Sequence, residues 1–196
     1  MPNLYIIAGC NGAGKTTASY TILPDILHCK QFVNADNIAA GISPFDVESV
    51  AIEAGRIMLH RINELLQLGE DFAIETTLAT RIYIALVHKA KTIGYNVSLI
   101  YIWLSDPALA LQRVSDRVEK GGHNIPADVV ARRYWRGLSN LFCLYIPICD
   151  NWVVADNSSD DLTEVARKKA EFEIVIADND IWVAINTLFY EHSAGK

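Results

Sequence analysis

The chain has 196 residues, of which 51% are hydrophobic and 20% are charged, and its formal net charge is −6. This composition predicts a folded chain with a sizeable apolar core and excludes an intrinsically disordered one. No apolar run reaches about 20 residues, the length that a membrane-spanning helix needs, and no signal peptide is recognisable. The four cysteines form no Cys-x-x-Cys pair, so the expected location is the cytoplasm. The negative charge disfavours nucleic acid as a partner, because binding to its phosphates requires a basic surface.

Strands and helices are predicted to alternate along the chain, as judged from apolar periodicity and from turn and capping residues. In chain order we predict a strand at Leu4–Ala8, a helix beginning within Gly14–Tyr20, a strand at Gln31–Ala35, a helix from Ser43 to Gly69, a strand at Asp71–Thr76, a helix ending near Ile93, a strand at Tyr95–Leu104, helices beginning at Asp106 and at Ile125, a strand at Trp152–Ala155, a helix beginning at Ser159, an edge strand at Glu171–Ala177 and a helix at Ile181–Tyr190. This alternation predicts a single α/β domain over residues 1–196, with a mainly parallel sheet of five to six strands between helices.

Two of these helices depend on capping signals. Ser43 is a candidate N-cap, Pro44 suits the first helical position, and Gly69 suits the end of that helix. Ser159 is a candidate N-cap for a later helix, with two aspartates directly after it and two lysines near its far end.

The segment Gly9–Thr16 (GCNGAGKT) matches the pattern Gly-x-x-x-x-Gly-Lys-[Ser/Thr] and lies between a predicted buried strand and a helix. In such a loop the glycines let backbone amides point at phosphate oxygens, Lys15 supplies charge to the β- and γ-phosphates, and the Thr16 hydroxyl binds Mg²⁺. The pattern therefore predicts ATP and Mg²⁺ as ligands, rather than an incidental glycine-rich turn. The residues predicted to bind the nucleotide are Gly9, Asn11, Gly12, Ala13, Gly14, Lys15, Thr16 and Thr17.

Cys10 occupies a variable position of this loop. A thiol among inward-pointing amides is either reactive, because its pKa is lowered, or simply a small residue that the loop tolerates. The second interpretation is favoured.

Two carboxylates follow predicted strands, at the edge of a parallel sheet where ligands gather. Asp36 is predicted to orient the acceptor hydroxyl and accept its proton, although an Asx turn within Asn-Ala-Asp-Asn is the alternative. Glu75 is predicted to bind the water shell of Mg²⁺ or the substrate, because an unpaired acid in an apolar strand would be costly. Asp106 precedes a proline and is expected to cap a helix, so no strong Walker B acid is recognised. That absence disfavours motor ATPases and GTPase switches.

A basic segment, about residues 113–136, is predicted to form a helical lid over the triphosphate. Arg113 and Arg117 are spaced to share one helix face, as are Arg132 and Arg136, with a flexible connection between the two pairs. Closure of such a lid would exclude water from the transferring phosphate. The alternative is a solvated helix face with local ion pairs. The residues predicted to contact phosphate or substrate are Arg117, Arg132, Arg133 and His123, and for His123 a plain loop histidine is the alternative.

Five stretches of the sequence resemble the zeta-toxin-like predicted ATPases of the zeta toxin family. They are GCNGAGKTT, VNAD, AIETTLATR, KGGHNIPADVVARRY and WVVADNS, and they span about residues 3–158. The resemblance implies the three-layer P-loop fold of nucleoside monophosphate kinases, with sheet order 2-3-1-4-5. It also implies a kinase with an antitoxin partner, since characterised members phosphorylate UDP-N-acetylglucosamine at the sugar 3′-hydroxyl and are restrained by a small antitoxin.

The same resemblance implies roles for individual residues. Lys15 would be the loop lysine, Thr16 the Mg²⁺ ligand and Asp36 the acceptor base. The residues that would lie beside the substrate are Glu75, Thr76, Thr77 and Arg81.

For the lid, the match is less direct. Arg117 resembles the first of the two lid arginines of the family, whereas His123 stands near the second, whose role could pass to Arg132 or Arg133. Asn157 would border the adenine, by analogy of fold alone.

Three functions stay open at this point. The leading one is a kinase that moves the γ-phosphate of ATP to a hydroxyl of a small acceptor, for example a UDP-sugar. The second is a nucleotide or metabolite kinase with no toxin role. The third is an ATP-dependent switch or ATPase with no small-molecule acceptor, which would keep its ATP-dependent behaviour when Asp36 is replaced by alanine.

Overall fold

The strand that precedes the glycine loop, β1 (Asn3–Gly9), lies in the middle of the parallel part of the sheet. Leu4–Ala8 are all buried, as expected for a strand that is covered by helices on both faces. The strands on either side of it are β3 (Phe72–Thr76) and β4 (Asn96–Trp103), and both run parallel to it.

The computed structural model describes residues 1–122 and 124–194, and His123 lies outside the described residues. The remaining strands are β2 (Gln31–Val33), β5 (Asn151–Asp156), β6 (Thr163–Lys169) and β7 (Val175–Ile176). The helices are α1 (Lys15–Thr21), α2 (Ala35–Ile42), α3 (Ala51–Leu68), α4 (Ile82–Thr92), α5 (Pro107–Glu119), α6 (Ala127–Asn140) and α7 (Asn179–Ala194), with short π-helical stretches at Ile22–Ile26 and Leu141–Tyr145. Within this described part, none of the helices combines the length and apolar character that crossing a lipid bilayer requires.

Hydrophobic clusters cover the two faces of the sheet. Alternate residues of β1 belong to different clusters, with Leu4 in the first and Tyr5 in the second, because successive side chains of a strand point to opposite faces. Helices α3 and α4 cover the first face, α1 and α5 border the second, and α6 contributes to both. The strands of the described residues are ordered β2-β3-β1-β4-β5-β6-β7. The predicted three-layer fold and the order 2-3-1-4-5 of its first five strands are confirmed.

The helix predicted from Ser159 is wrong, because Thr163–Lys169 forms β6, which pairs antiparallel with β5. This pairing satisfies the backbone groups along the edge of β5 and buries Val165 and Ala166, which outweighs a helix cap worth about 1 kcal/mol. The edge strand predicted at Glu171–Ala177 is reduced to the two residues of β7. The described chain therefore has seven strands in its sheet, not five to six.

The helix predicted from Ser43 to Gly69 begins later, at Ala51. The segment before it contains α2, which the sequence did not predict and which ends at Ile42, with Ser43 as its C-cap. Asp46 then stabilises a turn, since its Oδ1 accepts a hydrogen bond from the Ser49 backbone N–H at 3.3 Å. Such local side-chain contacts compete with a helix. The predicted end of α3 is confirmed, with Gly69 at a φ of 68°.

Candidate active site

The glycine loop connects β1 to α1 at the carboxyl edge of the sheet. Gly9, Gly12 and Gly14 have φ angles of 147°, 80° and 83°, a region that favours glycine. A Cβ atom on Gly9 would lie 2.3 Å from the carbonyl oxygen of Ile102 on β4. The three glycines of the motif therefore stand at positions that the path of the backbone restricts to glycine.

Glu75, near the end of β3, contacts the side chains of Lys15 and Thr16. The sheet register sets it beside Ile7 of β1. Thr16 Oγ1 donates a hydrogen bond to Glu75 Oε2 at 2.8 Å, and Lys15 Nζ lies 3.8 Å from Glu75 Oε1. Lys15 Nζ also donates to the carbonyl oxygen of Cys10 at 2.9 Å. The side chains of Lys15 and Glu75 are 8% and 9% exposed, so this ion pair is largely shielded from water.

This contact places the carboxylate of Glu75, predicted from the sequence to bind the water shell of Mg²⁺ or the substrate, against the hydroxyl of Thr16. β3 is the strand next to β1, and the carboxylate of Glu75 near its end accepts a hydrogen bond from the hydroxyl of Thr16. With that proton engaged, the lone pairs of the hydroxyl oxygen stay available to a cation. At the end of β4, Asp106 caps α5 as predicted, and its Oδ1 accepts from the backbone N–H groups of Ala108 and Leu109 at 2.6 and 3.1 Å.

The residues around Thr16 fit a nucleotide-bound Mg²⁺ ion. Such an ion takes oxygen ligands, keeps several waters and is held by phosphates with one or two carboxylates. The hydroxyl of Thr16 and the carboxylate of Glu75 are oxygen donors and line one cavity. The described residues contain no group of three or more His, Cys, Asp or Glu side chains suited to a metal.

Asn34, between β2 and α2, was not predicted as a site residue, yet it contacts two segments of the site. Its Oδ1 caps α2 by accepting from the backbone N–H groups of Asp36 and Asn37 at 2.7 and 3.1 Å. Its Nδ2 donates to Glu75 Oε2 at 2.7 Å. Asp36 thus lies in the first turn of a helix rather than in a loop, since the strand ends at Val33. The signal in the sequence was an asparagine directly after a strand, a residue type favoured at helix N-caps.

A cavity of about 220 Å³ opens beside the glycine loop. It brings the predicted base Asp36 together with Lys15, Glu75 and Arg117, a residue of the predicted lid. It also includes Arg113, which belongs to the basic segment but was not predicted as a site residue. The lining residues are Asn11, Gly12, Gly14, Lys15, Thr16, Thr17, Asp36, Glu75, Arg113 and Arg117.

The adjacent arginines of α6, Arg132 and Arg133, contact different partners. Arg133 Nη1 donates to Asn11 Oδ1 at 3.3 Å, so Arg133 lies against the glycine loop. Arg132 pairs instead with Asp128 at 3.5 Å on the exposed side of the helix. The structure therefore does not bring Arg132 to the cavity.

The predicted lid segment is anchored in the core. Val130, Tyr134 and Leu138 of α6 are buried, and Tyr134 Oη donates to the Leu104 carbonyl oxygen at 2.8 Å. Arg113 of α5 donates to the carbonyl oxygen of Ser158 at 3.3 Å. A lid that moves as one unit over residues 113–136 would have to break these contacts.

Of the four residues predicted to lie beside the substrate, only Glu75 lines the cavity. The hydroxyls of Thr76 and Thr77 accept from the backbone N–H groups of Leu78 and Ala79 at 3.0 and 3.4 Å, so they shape the turn after the strand. Arg81 is exposed at the start of α4. These threonines and Arg81 follow Glu75 closely in sequence but do not line the cavity.

Asn157, predicted to border the adenine, lies against the glycine loop. Its Nδ2 donates to the carbonyl oxygen of Ala13 at 2.9 Å. A Cβ atom on Gly14 would lie 2.6 Å from the same nitrogen. The segment after β5 therefore packs directly on the loop.

The thiol of Cys10 is expected to be inert in the folded protein. Cys10 is 2% exposed, and burial raises the pKa of its thiol to about 11 although Lys15 nearby lowers it. Near pH 8 only about one thiol in a thousand would be ionised, so iodoacetamide should label Cys10 slowly, and faster as the pH rises. Exposed Cys143 should label fast, and Cys143→Ser should abolish that fast phase in peptide mass mapping. Rapid labelling of Cys10 in the native protein would contradict this expectation.

Comparison with known proteins identifies the family. The model of the family described as Zeta toxin matches residues 1–143. The chain belongs to the zeta toxin family. A curated relative, an uncharacterized protein of Haemophilus influenzae strain Rd, is 32% identical over 126 residues, which are 64% of this chain and 88% of the relative.

Solved structures agree with this assignment at the level of fold. A chain of the AvrRxo1-ORF1:AvrRxo1-ORF2 complex with sulphate ions has a TM-score of 0.75 at 19% identity, and the match covers 94% of this zeta toxin family chain. It covers only 63% of that protein, so the present chain spans less than two thirds of its length. A chain of the PezAT chromosomal toxin–antitoxin system of Streptococcus pneumoniae has a TM-score of 0.71 at 21% identity, covering 97% of this chain and 79% of the other.

Proposed function

We propose that this zeta toxin family member is a kinase that transfers the γ-phosphate of Mg·ATP to a hydroxyl of a small-molecule acceptor. Family membership and the P-loop kinase fold support an ATP-dependent, kinase-like function. The observation that supports transfer to a hydroxyl is the shared cavity. The exposed carboxylate of Asp36 lines it together with Lys15, Thr16 and Glu75. A carboxylate beside a phosphate cradle is what transfer to an alcohol requires.

Each residue of the cavity has a proposed role. Lys15 neutralises the β- and γ-phosphates, and Glu75 holds the hydroxyl of Thr16 ready for Mg²⁺, whose charge stabilises the triphosphate when it is bound. Asp36 accepts the proton of the acceptor hydroxyl as its oxygen bonds to the γ-phosphorus and the bond to the β-phosphate oxygen breaks. Arg117 is proposed to neutralise the transferring group, because a guanidinium matches its spread charge.

Two further assignments follow from the side-chain contacts. Arg133, held by Asn11, is proposed as the second lid arginine in preference to Arg132. Asn157, packed on the loop, is proposed to border the adenine. Thr76, Thr77 and Arg81 are proposed to approach substrate only when it is bound.

A nucleotide sugar such as a UDP-sugar is the first acceptor to test, rather than a nucleic acid, because the chain carries a net charge of −6. The PezAT system includes an antitoxin by its name, and we propose that this chain also has a protein antitoxin. Since the reaction consumes ATP, we propose that it takes place in the cytoplasm.

Acceptor-dependent ADP release tests this function. The purified chain is mixed with Mg·ATP and, one at a time, with nucleotide sugars, nucleosides and free sugars. A kinase should release ADP at least about tenfold faster with its acceptor than without, because water is a poor substitute in such a site. ADP released at one rate with every compound and with none would instead favour an ATPase or a switch.

A further inference from the structure

We propose that Asn34 is a positioning residue that couples the carboxylate of Glu75 to the N-terminus of α2, so that the Mg²⁺ end and the acceptor end of the site depend on one side chain. This inference rests on the proposed function and deepens it. The observation behind it is the buried side-chain amide of Asn34. Its oxygen accepts a hydrogen bond from the backbone N–H of Asp36, and its nitrogen donates one to Glu75.

The orientation of this amide is set by its neighbours. Asn34 is 4% exposed, so water does not compete freely for its polar atoms. Its oxygen faces the backbone N–H groups of Asp36 and Asn37, which can only donate. The NH₂ group must therefore point the other way, toward the carboxylate of Glu75. Reversing the amide would leave donors facing donors.

The position of Glu75 depends on that NH₂ group. Its Oε2 accepts from Thr16 at 2.8 Å and from Asn34 at 2.7 Å, while its Oε1 lies 3.8 Å from Lys15 Nζ. Two donors on one oxygen fix the plane of the carboxylate against the Thr16 hydroxyl. Partners that orient a metal-binding group typically change metal affinity by about 10- to 100-fold when they are removed.

Serine at position 34 separates the two contacts of Asn34. Serine is a good helix N-cap, so Asn34→Ser should keep α2 in place. Its hydroxyl is too short to cap the helix and also replace the amide donor to Glu75. Asn63→Ser, at an exposed asparagine of α3, is the matched control for the same chemical change.

The test is calorimetric titration of ATP into the full chain, with Mg²⁺ and with a chelator. The ratio of the two dissociation constants measures the gain in affinity that Mg²⁺ provides. We expect Asn34→Ser to lower this gain by about 10- to 100-fold and to leave Mg²⁺-free binding near the wild-type value. In a Glu75→Gln background, Asn34→Ser should have almost no further effect, because a residue that acts through Glu75 is not additive with it.

Two results would overturn the coupling. One is an unchanged Mg²⁺ gain in Asn34→Ser while Glu75→Gln lowers it. The other is an equal loss of affinity with and without Mg²⁺, accompanied by a lower melting temperature, which would indicate a purely structural role. Failure of the proposed function would give a different result in the same titration. The wild type itself would then show no ATP binding that Mg²⁺ strengthens.

Discussion

Replacement of Lys15 by methionine is expected to lower phosphate transfer by about 10²- to 10³-fold, the cost of removing one preorganised charged donor from a phosphate site. Lys15 is buried between the Cys10 carbonyl oxygen and Glu75, so its charge is poorly screened where the phosphates are proposed to bind. Methionine keeps most of the buried stem and removes the ammonium group, with its charge and its hydrogen bond to the Cys10 carbonyl oxygen. The measurement is kcat/KM for the acceptor found in the ADP assay, together with the dissociation constant of ATP.

The control for this variant is Lys30→Met, because Lys30 is exposed and lies outside the cavity lining. Thermal unfolding of both variants shows whether the chain still folds, since removing Lys15 leaves the buried carboxylate of Glu75 without its cation. Transfer by a folded Lys15→Met protein within about twofold of the wild type would remove Lys15 from the proposed mechanism.

Replacement of Asp36 by asparagine is expected to lower kcat by about 10²- to 10⁴-fold, the usual contribution of a positioned general base. ATP affinity should stay near the wild-type value, because Asp36 lies on α2 and not in the glycine loop. Asparagine keeps the size of the side chain and lacks a basic oxygen. Transfer assays quenched at fixed times measure kcat, and ATP titrations measure the affinity for ATP.

Asp25→Asn, at an exposed aspartate outside the cavity, is the matched control and should transfer phosphate normally. If Asp36→Asn retained full transfer, the acceptor proton would have to go to another group. If it retained full ATP turnover with no dependence on an acceptor, the protein would be better described as an ATP-dependent switch.

The features of the site that were predictable from sequence are those with a local pattern. The glycine loop follows a fixed spacing, and its mechanism explains each position. Glu75 stood out because a charged residue interrupts an apolar strand. Asp106 was recognised as a cap because proline follows it. None of these predictions requires knowledge of which strands are neighbours.

The features that the sequence did not predict depend on contacts between distant segments. Asn34 has a local role as a cap, but its role beside Glu75 depends on β2 pairing with β3. Likewise, Thr163–Lys169 became a strand because the edge of β5 was available to it. Capping residues near Ser159 indicate a helix only when no such pairing competes.

In the basic segment, residues 113–136, the sequence also left open which face of a helix meets the core. Arg132 and Arg133 are adjacent in the sequence, and helical spacing alone does not show which of them contacts the phosphate. The burial of Val130 and Tyr134 fixes which face of α6 meets the core, and that places Arg133 against the loop and leaves Arg132 in solvent. The same burial restricts how far a lid built from α6 can move.

The most direct test of the central claim, that the γ-phosphate goes to an alcohol, is detection of the phosphomonoester itself. The wild-type chain is incubated with Mg·ATP and the acceptor panel, and the products are identified by mass spectrometry. The proposed function predicts that one panel compound gains a phosphate in equal amount to the ADP released, and that Asp36→Asn forms almost none. ADP accompanied only by inorganic phosphate, with no ester of any panel compound, would contradict it.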